Sequence, residues 1–150
     1  MTEANTEPIH AILYTDGASK GNPGPAGAGF VLTTRQGETI AACALPLGVT
    51  TVGVAEYRAL IGGMSEALAQ GVTCIQIFSD SQFMVRQMQG IYKVRTPCIR
   101  PLYDWASKLK ARFHQFKITH VNRDKNELAD TLAGEGAKRS AQGEKVEMEG

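Results

Sequence analysis

The chain has 150 residues, of which 43% are hydrophobic, and its 16 basic and 15 acidic side chains give a net charge of +1. This length predicts one globular domain whose core is large enough to fold without disulfides or structural metals. No apolar run reaches the ~18 residues of a membrane span, and the polar first ten residues lack the pattern of a secretory signal.

Three short apolar runs in the first third of the chain predict β-strands at residues 9–15, 29–34 and 39–47. Short connections between neighbouring strands require antiparallel pairing. Pro46 indicates that the third strand lies at a sheet edge or ends there, because proline cannot donate a hydrogen bond to a neighbouring strand.

A glycine-rich segment separates the first two strands: residues 13–32 hold five glycines and two prolines. The segment predicts a loop. It is not a phosphate-binding P-loop, because GxxxxGK[ST] is absent and a strand follows it rather than a helix. Two interpretations remain open: a wide irregular hairpin, or a surface of exposed backbone that approaches a substrate, with Asn22 as a polar contact.

The rest of the chain alternates helices with strands. Gly62 and Gly63 interrupt the apolar stripe of the first helix and indicate a close approach to a sheet. Asp124 and Glu127 have the spacing of a capping box and predict the start of the last helix. The expected elements are a helix at 55–69, a strand at 72–78, a short helix to about 88, a helix from 101, a strand at 116–121 and a helix at 124–138.

The order β-β-β-α-β-α-α-β-α predicts an α/β domain at residues 9–139, with a five-stranded mixed sheet and helices on both faces. The later strands, which helices separate, favour parallel pairing. Residues 1–8 are predicted to be a flexible N-terminal tail, and residues 140–150 a flexible acidic C-terminal tail.

Four acids lie at informative positions. Asp16 follows the first strand and Asp80 follows the fourth, so the two carboxylates lie side by side at one sheet edge if these strands are parallel neighbours. Glu56 and Asp130 occur in the first turns of two helices, and Glu56 borders the sheet-facing stripe. Each acid alone has another explanation: a turn at Asp16, a helix cap at Asp80, and helix-dipole stabilisation at the other two.

Four carboxylates at one edge would repel one another unless a divalent cation lay between them. Mg²⁺ prefers oxygen ligands, and a pair of such ions can assist phosphodiester hydrolysis. No cluster of cysteine and histidine indicates zinc. We interpret the scattered residues His10, His114 and His120 as structural, and Cys43, Cys74 and Cys98 as reduced, buried thiols of a cytoplasmic protein.

Basic residues are concentrated in one part of the chain. Residues 93–123 carry eight basic side chains and a single acid, Asp104. Such a run permits a polyanionic partner, although it is also typical of a solvated surface.

The four acids occur in the segments YTDGASKGNPGPAGAG, AEYRAL, IFSDSQ and HVNRDKNELADTLA. In this order the segments closely resemble ribonuclease H type 1, over roughly residues 9–137. The resemblance implies the ribonuclease H-like fold and an endonuclease that hydrolyses the RNA strand of RNA–DNA hybrids with two Mg²⁺ or Mn²⁺ ions. It also implies 5′-phosphate and 3′-hydroxyl products, and it assigns catalysis and metal binding to Asp16, Glu56, Asp80 and Asp130.

The resemblance also implies a substrate surface, with double-stranded RNA as a further duplex to test. We expect the protein to be a monomer. Contacts to the 2′-hydroxyls distinguish RNA from DNA, and contacts to phosphates predict strong salt dependence with little sequence preference. The expected substrate-binding residues are Gly17, Ser19, Lys20, Gly21, Asn22, Thr51, Ser81, Gln82, Lys93, Arg95, Arg123 and Asn126.

The sequence departs from the family pattern in three places. Val52 and Gly53 replace amide side chains that commonly precede the motif glutamate. The segment after the second helix is too short for the basic protrusion of many members, as in the compact, archaeal-type form. A mobile histidine before the last aspartate is absent, with Arg123 as the nearest substitute.

Two other functions remain open from the sequence. One is a duplex-binding module of the same fold that does not cleave, which the replacements at Val52 and Gly53 support. The other is a DNA integrase or junction resolvase, although such relatives usually lack the DGASKGNPG segment. The four acids favour hydrolysis, because a pure binding module has no need of their mutual repulsion.

Overall fold

The computed structural model describes residues 7–146, and in this range it contains a five-stranded sheet and four α-helices. The predicted order of strands and helices, β-β-β-α-β-α-α-β-α, is confirmed. The elements are β1 (His10–Ser19), β2 (Gly24–Thr33), β3 (Thr39–Thr50), α1 (Val52–Ala69), β4 (Cys74–Ser79), α2 (Gln82–Met88), α3 (Arg100–Lys110), β5 (Gln115–His120) and α4 (Glu127–Ala141), with a 3₁₀ turn at Arg123–Lys125.

The sheet order is β3-β2-β1-β4-β5. β2 is antiparallel to both β1 and β3, whereas β1, β4 and β5 are parallel to one another. The predicted mixed sheet is therefore confirmed, and the first and fourth strands meet the condition under which Asp16 and Asp80 lie side by side, because they are parallel neighbours. β3 is the edge strand that Pro46 indicated, and it continues four residues beyond that proline.

The predicted long glycine-rich loop is wrong. β1 and β2 form one regular hairpin whose pairing extends from Ile12↔Thr33 to Ser19↔Ala26, so only residues 20–23 remain as the turn. Glycine lowers strand propensity, yet tertiary packing requires it here. A Cβ atom on Gly29 would lie 2.5 Å from the carbonyl oxygen of Ala129 in α4.

Helices cover both faces of the sheet. Ala26 and Ala28 of β2 pack against Ala55 and Ala59 of α1, whereas the alternate residues of β2 face α4. In α1 a Cβ atom on Gly63 would lie 2.6 Å from the Leu13 side chain, which confirms the close approach predicted from the two helical glycines.

We expect Gly136→Ala to destabilise the protein and Gly134→Ala, on the same helix, to leave it unchanged or stabilise it. A Cβ atom at position 136 would lie 2.5 Å from the carbonyl oxygen of Leu45, while the space at position 134 is open. Overpacking of this kind costs about 1–3 kcal/mol, whereas alanine in an open helical position gains up to about 1 kcal/mol. Urea unfolding of both variants tests this, and equal free energies of unfolding would contradict the close packing.

α4 differs from its predicted bounds at both ends. Its N-cap is Asn126, so the predicted capping box of Asp124 and Glu127 is wrong, and Asp124 lies in the 3₁₀ turn. Its C-terminal end extends to Ala141 because the buried Ser140 hydroxyl donates to the Ala26 carbonyl oxygen at 2.6 Å and accepts from an N–H of β3. Residues 1–6 and 147–150 of the predicted flexible tails lie outside the described residues. In the rest of the predicted C-terminal tail, Ser140 and Ala141 belong to α4 and Lys145 pairs with Leu47.

Within residues 7–146, no helix is long and apolar enough to cross a membrane. All three cysteines are free, but only Cys74 is buried; Cys43 is half-buried and Cys98 is exposed, so the expectation of three buried thiols was wrong. Cys98 is exposed because the segment between α2 and α3 lies on the surface. The expected cytoplasmic location and monomeric state stay predictions.

Candidate active site

The topology of the sheet brings Asp16 beside Asp80. The parallel pairing of β1 with β4 ends at Thr15↔Ser79, so both aspartates are the first residues beyond the last pair. Asp16 itself remains within β1, because its pairing with β2 continues for three more residues. The carboxyl edge expected from the sequence therefore exists, although β1 does not end there.

α1 adds a third acid to this edge. A Cβ atom on Gly17 would lie 2.4 Å from the backbone nitrogen of Glu56, so the absence of a side chain allows α1 to start against β1. Carboxylate oxygens of Asp16, Glu56 and Asp80 all lie within 4.8 Å of one another. Asp80 is not the cap of α2, since that N-cap is Ser81, whose hydroxyl accepts from the Met84 N–H.

Asp130 borders this group from the first turn of α4. A hydrogen bond with the Asp16 carboxyl, and then contact with Arg123, lower the pKa of Asp130. The Arg123 Nη2 atom lies 3.0 Å from Asp130 Oδ1, and the arginine side chain is 75% exposed. Arg123 thus presents a positive charge at the rim of the acidic group.

The metal-free acidic group is electrostatically unfavourable. Asp16 is 3% exposed and Glu56 is 8% exposed. Burial is the main cause that raises the pKa of Asp16, followed by the charge of Glu56; burial and the charge of Asp80 raise the pKa of Glu56. The Glu56 Oε1 atom is buried without a hydrogen-bond partner among the described residues.

These features fit a hard divalent cation. The donor set consists only of carboxylate oxygens, which Mg²⁺ and Mn²⁺ accept, and the unpaired Glu56 oxygen needs a positive partner. Asp16, Glu56 and Asp80 would hold the cation, with Asp130 beside them. The catalytic roles of all four acids stay predictions.

The hairpin turn is tied to the start of α1. The Asn22 Oδ1 atom accepts a hydrogen bond from the Val52 N–H at 3.0 Å, and the Ser19 hydroxyl contacts the carbonyl oxygen of Gly21. Thr51 caps α1 by accepting from the Val54 N–H. Lys20 and Gly21 are exposed in this turn, whereas Gly17 is buried under α1. A ligand at this edge of the sheet could therefore contact the exposed backbone of the turn and the Lys20 side chain.

The other predicted substrate residues fall into two classes. Gln82, Lys93 and Arg95 are exposed at the start of α2 and in the segment that follows it, and within the described range no helix lies between Met88 and Arg100. Asn126 differs, because it is 1% exposed and its Nδ2 atom donates to the Thr15 carbonyl oxygen at 2.9 Å. Its predicted substrate contact is not supported, because its side chain connects α4 to β1.

Sequence reasoning missed a mostly apolar cavity of about 350 Å³ beside Glu56. Ser81, Phe83, Thr96 and Ile99 line it, and Phe83 is 62% exposed, with its ring 5.5 Å from that of Tyr92. No periodic signal marks these residues, because three of the four lie in irregular segments. The signal available in the sequence was the occurrence of the aromatic residues Phe83 and Tyr92 just before the basic residues 93–123.

Comparison with known proteins places this geometry in a family. A family model described as reverse transcriptase-like matches residues 14–136. Ribonuclease HI of Halobacterium salinarum is 40% identical over 127 residues, which are 85% of this chain and 63% of that protein. The chain spans only 37% of the length of three mycobacterial relatives that are 38% identical to it.

Solved structures show the same fold. The N-terminal ribonuclease H domain of a Mycobacterium tuberculosis protein, solved as a fusion with maltose-binding protein, gives a TM-score of 0.88 at 37% identity over 90% of this chain and 98% of that chain. The ribonuclease H1 called LC11, solved in complex with an RNA/DNA hybrid, gives a TM-score of 0.82 at 36% identity over 87% of this chain and 99% of that one.

Proposed function

Because the chain belongs to the type 1 ribonuclease H family, we propose that it is an endonuclease that hydrolyses the RNA strand of RNA–DNA hybrids. The observation that carries the proposal is the group of three carboxylates within 4.8 Å at the carboxyl edge of the sheet. The hybrid in the LC11 complex supports the choice of substrate.

We propose that Asp16, Glu56, Asp80 and Asp130 together bind the metal ions. The chemistry that a pair of bound Mg²⁺ or Mn²⁺ ions supplies is activation of a water molecule and stabilisation of the leaving oxygen. In the hydrolysis, the water oxygen bonds to phosphorus while the bond from phosphorus to the 3′-oxygen breaks. The products are then a 5′-phosphate and a 3′-hydroxyl.

Substrate selection follows from the surface around the acids. The exposed backbone of the hairpin turn would lie near the wide minor groove, where 2′-hydroxyls distinguish RNA from DNA. Lys20, Lys93 and Arg95 are exposed, and Arg123 lies at the rim. These four basic side chains would contact phosphates. Such contacts determine where the duplex lies on the protein but do not select its base sequence. Binding should therefore weaken steeply as salt increases.

A cleavage assay on three labelled duplexes tests the proposal: an RNA–DNA hybrid, double-stranded RNA and double-stranded DNA, each with Mg²⁺ and with Mn²⁺. We expect cleavage of the RNA strand of the hybrid and no cleavage of DNA. Binding of hybrid without cleavage under either metal would instead indicate a duplex-binding module. Cleavage of duplex DNA would indicate an integrase- or resolvase-like reaction.

A further inference from the structure

A second cavity, of about 280 Å³ and more polar than the first, lies between the end of β3, α1 and the residues that follow α4. Its apolar wall includes Leu47, Val54 and Val146, and its polar groups include Thr50, Arg58 and Lys145. Lys145 is held there because its backbone pairs with Leu47. The lining contains two cationic side chains and no carboxylate from the described residues.

Arg58 is the anomaly in this cavity. Its Nη1 atom is buried and has no hydrogen-bond partner in the part of the chain that the structure describes. The guanidinium groups of Arg100, Arg123 and Arg139 each contact a carboxylate at 2.9–3.1 Å. Arg58 as a whole is half-buried, but a buried donor atom without a partner is costly. An anion in the cavity would give this atom a partner.

The position of the cavity indicates which anion would reach it. β3 has the same direction as β1, because β2 is antiparallel to both. The final residues of β3, which line the cavity, are therefore at the same edge of the sheet as the acidic group. A polyanion that lies along this edge would pass the opening of the cavity.

We propose that the Arg58 cavity binds one phosphate group, which in the substrate complex belongs to the nucleic-acid backbone. The planar guanidinium can donate two parallel hydrogen bonds to a phosphate, and Lys145 adds a second positive charge. That the bound phosphate belongs to a nucleic acid rests on the proposed function, whereas the binding of a phosphate group does not. Inorganic phosphate shares that chemistry and is the probe for the site alone.

The first experiment compares thermal unfolding of metal-free protein in phosphate and in chloride at equal ionic strength and pH. We expect phosphate to raise the midpoint of the wild type by a few degrees, because a ligand that binds only the folded state stabilises it. Arg58→Met should lose this shift. Arg58→Lys keeps the positive charge but lacks the two parallel N–H donors of the guanidinium, so it should retain part of the shift. Arg35→Met is the matched control, because Arg35 is exposed in the turn between β2 and β3 at the opposite edge.

An equal phosphate shift in the wild type and in both Arg58 variants would overturn the proposal. If Arg58→Met does not fold, the phosphate shift of Arg58→Lys relative to that of the wild type tests the proposal instead. Glu147 and Glu149 lie outside the described residues, so the full chain with both changed to glutamine is measured as well. Its phosphate response should equal that of the wild type; a response that appears only after these changes would assign Arg58 to the chain's own carboxylates and overturn the proposal.

The second experiment measures hybrid binding by fluorescence anisotropy without divalent ions, over a range of salt concentrations. Arg58→Met should bind about tenfold more weakly, as expected for loss of a charge-assisted hydrogen bond, and the slope of log K against log salt should become shallower by about one. Arg35→Met should match the wild type.

If Arg58→Met loses the phosphate shift but leaves the salt slope of hybrid binding unchanged, the cavity binds phosphate but not the phosphates of the hybrid. A wild type that cleaves no hybrid with Mg²⁺ would refute the proposed function and leave the phosphate result intact.

Discussion

Asp80→Asn is expected to fold like the wild type and to lose about a thousandfold or more of the rate of hybrid hydrolysis. The substitution keeps the shape of the side chain but removes one of three carboxylates whose oxygens lie within 4.8 Å of one another. Loss of a single group that stabilises developing charge commonly lowers a rate by 10²–10³. A group that holds the reacting metal should have at least that effect.

Hybrid affinity separates a loss of chemistry from a loss of binding. Without divalent ions, Asp80→Asn should bind hybrid as well as the wild type or better, because it removes a negative charge that repels phosphate. Asp104→Asn is the matched control, since Asp104 is an exposed aspartate of α3 that pairs with Arg100. It should retain full activity. An active Asp80→Asn enzyme would contradict the assignment of the site.

Glu56→Gln is expected to stabilise the metal-free protein at alkaline pH by on the order of 2 kcal/mol, or several degrees in the unfolding midpoint. Burial, and then the charge of Asp80, raise the pKa of Glu56 from 4.5 to about 8. Between these values the folded protein retains a proton that the unfolded chain has released. The free energy of unfolding of the wild type should therefore fall as the pH increases through this range.

The glutamine variant has no such proton to lose at position 56, so its stability should fall less steeply. At pH 5 the two proteins should differ little. Mg²⁺ should stabilise the wild type most at high pH, where the carboxylates are ionised, and the variant much less. Urea unfolding in EDTA and in Mg²⁺ at several pH values measures both effects. Parallel pH curves for the two proteins would show that Glu56 is not held in an unfavourable ionised state.

The sequence predicted the placement of the acids because two regularities determine it. Neighbouring parallel strands end at one edge, which brought Asp16 to Asp80, and the helical stripe of α1 directed Glu56 inward. A wide hairpin was one of the two interpretations left open for the glycine-rich segment, but its regular strand pairing could not be predicted in the same way. Glycine disfavours strands when only local preferences count, and the contact between Gly29 and α4 appears only once the sheet and helix have packed.

The roles of Asn126 and Arg58 were also beyond the sequence. Asn126 lies beside polar residues that predict an exposed helix start, yet its amide is buried against the backbone of β1. Arg58 lies in α1, and the cavity beside it is formed together with the end of β3 and with Lys145 and Val146 from beyond α4. Both cases depend on contacts between segments far apart in the chain, which periodicity does not reveal.

The proposed activity depends on divalent cations that Asp16, Glu56 and Asp80 share at the sheet edge, with Asp130 beside them. A crystal structure with Mn²⁺, measured at a wavelength where manganese scatters anomalously, would locate these cations. The anomalous peaks should lie within coordination distance of carboxylate oxygens from at least two of these residues. Manganese sites only elsewhere on the protein, at concentrations that saturate activity, would contradict the claim.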